Sequence, residues 1–172
     1  VLAGPECLLV GSGRNNRMAL NLGGIANFSL IPRGADPARV RATDAGPCNI
    51  LLDHLAWRAS GGGMGFDRGG ALAMRGAARD EWVKRFLRHE FFNRPAPKTG
   101  GRDDFSGKWL ADITKGIRIR SGRDRADLLR SGARAVAVII VRCLSGNFGG
   151  SAVDQIVVSG GGAYNRALIL EL

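Results

Sequence analysis

The sequence predicts an α/β fold in which an antiparallel strand meander is followed by helices and by a further, parallel strand. Three observations support this class. Two strand-like runs are separated only by Gly23-Gly24, a third run ends at Asp44, and the C-terminal part reads as strand, triple glycine and helix. The 172 residues are enough for one domain with a core, since domains commonly have about 100–200 residues.

The chain begins with a weakly patterned leader, residues 1–16, before the first clear strand signals. Residues 18–22 and 25–31 are both predicted strands, and residues 26, 28 and 30 of the second are apolar on one face. The intervening pair of glycines indicates a hairpin, because glycine adopts positive φ at no steric cost.

The third strand is predicted at residues 40–43, which places Asp44 at its C-terminal end. A turn at Gly46-Pro47 would then open the helix that follows. Ligands of α/β sheets bind at this edge, where helix N-termini offer free N–H groups to anions. The alternative is that Asp44 is an ordinary cap or Asx-turn residue.

Apolar spacing predicts the helices that follow. The first ends near Ser60, and its buried face carries Ile50, Leu51, His54 and Leu55. Further helical segments are predicted at 70–76, 80–89, a stretch through Ile113 capped by Asp103 or Asp104, and a long helix after the capping box of Ser121 and Asp124.

Residues 156–158 form the last predicted strand, and Gly160, Gly161 and Gly162 lead from it into a helix. Glycines let the backbone approach a base or a phosphate closely. A tight strand-to-helix turn is the alternative. Residues 98–102 carry two cations around a flexible turn, which predicts either an anion contact or a surface loop.

The formal charge of +10 raises the question of nucleic acid, but the most basic stretch, residues 115–134, has no aromatic residue for base stacking. Nucleic-acid binding is therefore disfavoured. The three cysteines form no close pair, and His54 and His89 stand apart, so neither a disulfide framework nor a metal cluster is expected. No apolar run is long enough for a membrane span. A cytoplasmic location is the simplest expectation.

The order of these elements resembles one ribonuclease-H-like lobe of an actin/hexokinase/Hsp70-type ATPase. More narrowly, the chain is similar to the anhydro-N-acetylmuramic acid kinase family, over about residues 17 to 172. The similarity rests on Leu20 to Asn27, Asp44 to Asn49 with Asp53, Phe66-Asp67-Arg68 before Gly70-Ala71, Pro97-Lys98-Thr99 with Gly101-Arg102, and Ser159 to Ala163 with Asn165.

The resemblance implies an ATP-dependent and Mg²⁺-dependent kinase of a small sugar. It makes Asp44 the base that activates a water to open the 1,6-anhydro sugar, while O6 receives the γ-phosphoryl group. It further assigns Asn21, Gly23, Gly24 and Asn27 to the phosphates, Gly160, Gly161, Gly162 and Asn165 to the adenosine side, and Gly46 and Asn49 to the sugar end.

Two positions depart from the family pattern, because Gly69 replaces an acidic residue and Gly100 a polar one. The resemblance also implies that residues 17–172 are a C-terminal-type lobe with a helical insertion at 50–146, truncated at both ends. As such a fragment the chain is expected to be inactive. The alternative function is a non-catalytic nucleotide- or sugar-binding domain. A homodimer is compatible with the sequence.

Overall fold

The computed structural model describes residues 10–11, 13–34, 36–101, 103–105, 107–148 and 153–172, so most of the predicted leader lies outside the described residues. The strands are β1 (Arg17–Leu22), β2 (Ile25–Ile31), β3 (Arg41–Pro47) and β4 (Gln155–Ser159). The helices are α1 (Asn49–Ser60), α2 (Asp80–Phe86), α3 (Gly107–Thr114), α4 (Gly122–Phe148) and α5 (Arg166–Glu171). Short 3₁₀ turns lie at Pro37–Arg39, Arg68–Gly70, Ala73–Arg75, Glu90–Asn93 and Gly161–Tyr164.

The four strands form one mixed sheet in the order β3-β2-β1-β4. β1 and β2 are antiparallel, as are β2 and β3, whereas β4 lies parallel to β1. The glycine pair connects β1 to β2 as a hairpin turn. The predicted α/β class, with a meander and one parallel strand, is therefore confirmed.

The core lies between the sheet and the helices. Met18, Leu20 and Leu22 alternate along β1 and are buried on the same face of the sheet. On α4 the predicted stripe is also buried, which confirms it: Leu129, Ala133, Val136, Ile140 and Cys143. Because α4 also contacts α1, α2, α5 and β3, it is the central helix of the domain.

β3 is longer than the sequence predicts. It continues to Pro47, so Asp44 lies inside the strand and the predicted turn at Gly46-Pro47 is wrong. Both residues pair with β2. A Cβ atom on Gly46 would lie 2.9 Å from Ile139 Cγ2 and 3.0 Å from Phe92 Cε1. Glycine is therefore needed here for close packing of the strand against α4.

The buried face of α1 is rotated relative to the prediction. Leu51, Leu52 and Leu55 are buried, whereas His54 is half-buried at the edge of the face. Its Nε2 atom lies 3.3 Å from the hydroxyl of Thr114, which ends α3. The imidazole therefore reaches a polar partner on a neighbouring helix.

Other helix boundaries follow local hydrogen bonding. The capping box is confirmed, because Ser121 Oγ accepts from the Asp124 N–H and the Asp124 carboxylate accepts from the Ser121 N–H. The predicted cap by Asp104 is wrong, since its carboxylate accepts from Gly101 N. α2 ends at Phe86, not at residue 89, and two 3₁₀ turns replace the helix predicted at 70–76.

A buried ion pair fastens α5 to α4. The Glu171 carboxylate accepts hydrogen bonds from Arg130 Nε at 2.6 Å and from Arg134 Nε at 2.8 Å. Burial alone would raise the pKa of Glu171, but the hydrogen bonds from Arg134 and Arg130 outweigh it and lower the pKa below its ordinary value of 4.5. The anionic form is therefore the stabilising one.

Replacing this carboxylate is expected to destabilise the fold. Glu171→Gln leaves two arginines without their anion, and we expect a loss of about 1.5–3 kcal/mol at neutral pH by urea denaturation. Because the folded pKa is lowered, the stabilisation is present above pH 4.5 and lost as the pH falls through the folded value. The difference in the free energy of unfolding between the unmodified chain and Glu171→Gln should therefore shrink as the pH falls below 4.5. Glu90→Gln, which breaks an exposed pair with Arg94, is the matched control and should cost little.

Candidate active site

Asp44 belongs to a row of polar residues that crosses the sheet. The Cα register pairs Asp44 on β3 with Asn27 on β2, Asn27 with Asn21 on β1, and Asn21 with Ser159 on β4. Directly paired residues project from the same face of a sheet. Since neighbouring strands lie about 4.8 Å apart, Asp44 and Asn21 are separated by about 10 Å.

A β-bulge adjoins Asp44. Ala26 pairs with Gly46 and the next residue, Asn27, pairs with Asp44, so Ala45 has no partner in the ladder. Bulges re-aim the neighbouring side chain and occur often beside active sites. Here the irregularity sets the direction of the Asp44 carboxylate.

The Asp44 carboxylate is nearly buried, with 6% of the residue exposed. Its Oδ2 atom accepts a hydrogen bond from Gly100 N at 2.7 Å, and its backbone N–H donates to Lys98 O at 2.9 Å. Among the described residues, Gly100 supplies the one hydrogen bond recorded to this side chain. The segment after Pro97 therefore covers the outer edge of β3 and holds the carboxylate.

Lys98 does not offer its charge to an anion. Its ammonium group is buried and donates to the carbonyl oxygen of Phe91 at 2.8 Å, over whose ring it also lies. Burial lowers the pKa of Lys98. The anion contact considered for residues 98–102 is therefore wrong for this residue, and Arg102 lies outside the described residues.

The glycine turn of the hairpin meets the start of α1. Cys48 N and Ile50 N donate to Gly24 O at 2.9 and 3.2 Å, and Asn49 N donates to Gly23 O at 3.1 Å. The expectation of free N–H groups at this helix N-terminus is therefore wrong. The carbonyl groups of the turn cap the helix.

Cys48 follows Asp44 in the same motif but is not a nucleophile. The residue is completely buried, and burial raises the pKa of its thiol to about 12. The thiolate is the reactive form of cysteine. Burial and the raised thiol pKa therefore make Cys48 a packing residue of this motif.

The second glycine loop packs directly on the end of β1. Gly160 has φ +84°, and a Cβ atom there would lie 2.5 Å from Asn21 Oδ1 and 2.7 Å from the carbonyl carbon of Leu22. A Cβ atom on Gly162 would lie 2.8 Å from Leu22 Cβ. The loop thus meets the polar row at Asn21, so the two predicted glycine turns are neighbours.

Asn49 and Asn165 hold this loop from either side. Asn49 Nδ2 donates to Leu22 O at 3.1 Å and lies against Gly161, where a Cβ atom would be 3.5 Å away. Asn165 Oδ1 accepts from Leu168 N at 3.1 Å and so caps α5. Asn49 was predicted at the sugar end, but the structure places it beside the Gly160–162 loop.

A cavity of about 410 Å³ opens between this loop, α1 and the 3₁₀ turns after Asp67. Its lining combines predicted and unpredicted residues: Asn49, Leu52, Asp53, Phe66, Asp67, Arg68, Gly69, Ala73, Leu129, Gly161, Tyr164 and Asn165. Phe66 and Tyr164 are 56% and 82% exposed. The Arg68 guanidinium lies 5.9 Å from the Phe66 ring centroid. Exposed rings beside a cation suit a flat, electron-rich ligand.

Two aspartates line this cavity and differ in their surroundings. Asp67 accepts hydrogen bonds from Leu72 N at 3.0 Å and from Ala73 N at 2.9 Å, so its carboxylate builds the cavity wall. Asp53 has no hydrogen bond or ion pair recorded with any described residue. Burial raises the pKa of Asp53. Its carboxylate is therefore available to a ligand.

The predicted site residues thus fall into two adjoining groups. Asn21, Asn27 and Asp44 form the polar row, and Gly23-Gly24 connects the two strands that carry Asn21 and Asn27. The Gly160–162 loop, Asn49 and Asn165 border the cavity. Sequence reasoning gave no role to the exposed rings, because neither ring belongs to a periodic pattern; only the similarity of the 66–68 motif pointed to one of them. Within the described ranges, no group of three or more acidic, histidine or cysteine residues could hold a metal ion.

The mixed sheet, the two glycine turns and the carboxylate at the bulge define the class. This is a lobe of the sugar kinase ATPase fold. A sequence profile described as Anhydro-N-acetylmuramic acid kinase matches residues 3–172, and the chain belongs to that family.

Curated relatives agree with this assignment. An anhydro-N-acetylmuramic acid kinase of Caldanaerobacter subterraneus subsp. tengcongensis is 34% identical over 157 residues, covering 90% of this chain and 39% of the relative. One from Synechococcus sp. is 36% identical over 172 residues, covering 97% and 45%. One from Neisseria gonorrhoeae is 35% identical over 159 residues, covering 92% and 40%. The chain therefore spans less than half the length of these relatives.

A membrane-spanning helix is not found in the described part of the chain, where no helix has the required length and apolar character.

Proposed function

We propose that this chain is the base-carrying lobe of an ATP-dependent kinase that opens 1,6-anhydro-N-acetylmuramic acid with water and phosphorylates O6. The observation that carries the proposal is the alignment of Asp44, Asn27 and Asn21 in one row that ends at the Gly160 loop and its cavity. A nucleotide whose base enters the cavity can direct its phosphates along this row toward the carboxylate.

The cavity fits the adenosine part of the nucleotide. Its volume of about 410 Å³ lies within the roughly 300–1,000 Å³ of small-molecule sites. Tyr164 and Phe66 supply faces for stacking on the base, and Gly161 allows close approach of the backbone. A Cβ atom on Gly162 would lie 2.8 Å from Leu22 Cβ, so there is no room for a side chain where this loop packs against β1.

The phosphates are assigned to the hairpin end. Asn21 and Asn27 carry amide N–H donors beside Gly23-Gly24, the arrangement expected for contacts to phosphate oxygens. Mg²⁺ is commonly bound through phosphate oxygens and water with only one or two protein ligands. When bound, it would neutralise charge on the transferring phosphoryl group.

Asp44 is assigned the role of general base. The water oxygen adds to the anomeric carbon, its proton passes to the Asp44 carboxylate, and the bond from that carbon to O6 breaks. O6 then attacks the γ-phosphorus, and the bond to the bridging oxygen breaks to release ADP. Gly100 N fixes one carboxylate oxygen at 2.7 Å, which orients the other for the water. A sugar-end role for Gly46 remains a prediction, whereas Asn49 borders the cavity assigned to adenosine.

Nucleotide binding by this chain tests the proposal. We expect ADP to bind, and Tyr164→Ala to weaken binding by about 5- to 150-fold, since base stacking is worth about 1–3 kcal/mol. Tyr164 is 82% exposed, so its removal should leave the melting temperature unchanged. Isothermal titration calorimetry measures the effect, and Trp57→Ala, another exposed ring in a different cavity, is the control. Absence of ADP binding, or equal affinity in both variants, would contradict the assignment.

A further inference from the structure

Asp53 is a carboxylate of the cavity that the proposed reaction does not use. It lines the 410 Å³ cavity together with Asn49, which precedes it by four residues and therefore shares its face of α1. No hydrogen bond or ion pair joins its side chain to another described residue, and of the two aspartates in the lining only Asp67 is occupied by backbone amides.

The position of Asp53 relative to the polar row indicates which part of a bound nucleotide it would contact. α1 starts at the hairpin turn, where Asn49 N donates to Gly23 O. Four residues further along the helix correspond to a rise of about 6 Å. Asp53 is thus displaced from the hairpin end by about one helical turn, and it shares the cavity with the two exposed rings. In a nucleotide the ribose lies between the phosphates and the base.

The chemistry of a carboxylate further limits which group of a nucleotide Asp53 can bind. An ionised carboxylate only accepts hydrogen bonds, and its two oxygens match two neighbouring O–H donors. Phosphate is excluded by like charge. A base amino group would use one oxygen and leave the other without a donor. The 2′- and 3′-hydroxyl groups of ribose use both.

We propose that Asp53 is the specificity-determining residue of the nucleotide site, accepting hydrogen bonds from the vicinal hydroxyl groups of ribose and so selecting ribonucleotides over deoxyribonucleotides. This inference rests on the proposed function, because it assumes that the cavity holds a nucleoside. A site built to accept a substrate hydroxyl discriminates against the analogue that lacks it, since a polar group is then left unpaired.

The test compares ADP, 2′-deoxy-ADP and 3′-deoxy-ADP by isothermal titration calorimetry on this chain, unmodified and with Asp53→Asn or Asp53→Ala. We expect the unmodified chain to bind ADP about 10- to 100-fold more tightly than either deoxynucleotide. Both variants should lose that preference through weaker ADP binding, with deoxynucleotide affinity nearly unchanged. Asp112→Asn, in a separate cavity, is the matched control and should keep the preference.

Differences in stability between the Asp53 variants and the unmodified chain should not affect the comparison of binding affinities. Asp53 is exposed, and its carboxylate makes no hydrogen bond or ion pair with another described residue. The melting temperature of Asp53→Asn should therefore be close to that of the unmodified chain.

The outcomes separate the two proposals. ADP binding with no ribose preference, or with a preference that both variants retain, overturns the role of Asp53 and leaves the nucleotide site standing. If no adenine nucleotide binds to the unmodified chain, the proposed function fails and the ribose contact fails with it.

Discussion

Asp44→Asn is expected to reduce turnover by about 10²- to 10⁴-fold, the usual contribution of a general base. The measurement is ATP-dependent phosphorylation of the anhydro sugar by a polypeptide extended to the length of the family relatives. Asparagine keeps an oxygen that can accept from Gly100 N, so the hydrogen bond that orients the side chain is preserved. What is lost is the capacity to take a proton.

The same variant should bind ADP normally. Asp44 does not line the 410 Å³ cavity proposed to hold the nucleotide, and its Cα lies about 10 Å from that of Asn21, by two strand spacings. Asp154→Asn, which alters an exposed residue near the opposite end of β4, is the control for general effects. A variant at position 44 that retains turnover would remove Asp44 from the chemistry. Absence of turnover in the unmodified extended polypeptide would favour a non-catalytic binding domain.

Gly160→Ala should destabilise the domain by about 2–4 kcal/mol, as a strained backbone and an overpacked contact are each worth about 1–3 kcal/mol. The residue has φ +84°, and its new Cβ atom would approach the carbonyl carbon of Leu22 to 2.7 Å. Backbone atoms at the end of β1 cannot move aside without disturbing the hairpin. Urea denaturation followed by tryptophan fluorescence measures the loss.

The neighbouring glycine supplies the comparison. A Cβ atom on Gly161 would meet nothing closer than Asn49 Nδ2 at 3.5 Å, an ordinary contact, and its φ is not in the left-handed region. Gly161→Ala should therefore change the free energy of unfolding little while reducing access to the cavity. Equal stability of both alanine variants would show that the loop does not rest on β1 as described.

Local patterns in the sequence were sufficient for much of this fold. The glycine pair and the alternating residues of β1 and β2 predicted the hairpin, and the capping box predicted the start of α4. These features depend on neighbours a few residues away. The order of the motifs then identified the family, and the structure places Asp44, Asn27 and Asn21 in one row.

The remaining features depend on contacts between distant segments. β3 continues through Gly46-Pro47 by pairing with β2, and its contact with α4 and Phe92 leaves space only for glycine at position 46. Lys98 was predicted to be an anion ligand or part of a surface loop, but its ammonium group is taken by the Phe91 carbonyl. The available carboxylate of Asp53 could be distinguished from that of Asp67 only after the 3₁₀ turns were placed.

The capping of α1 by the hairpin has a consequence for electrical polarity. In a trans peptide the N–H points opposite to the C=O, so the carbonyl of Gly23, held by Asn49 N, sends the Gly24 N–H away from the helix. A flip of that peptide would turn the Gly23 oxygen outward, toward the proposed phosphate position, and would break the hydrogen bond from Asn49 N. The hydrogen bond from α1 therefore fixes the Gly23–Gly24 peptide with its N–H, the positive end of its dipole, pointing away from the helix.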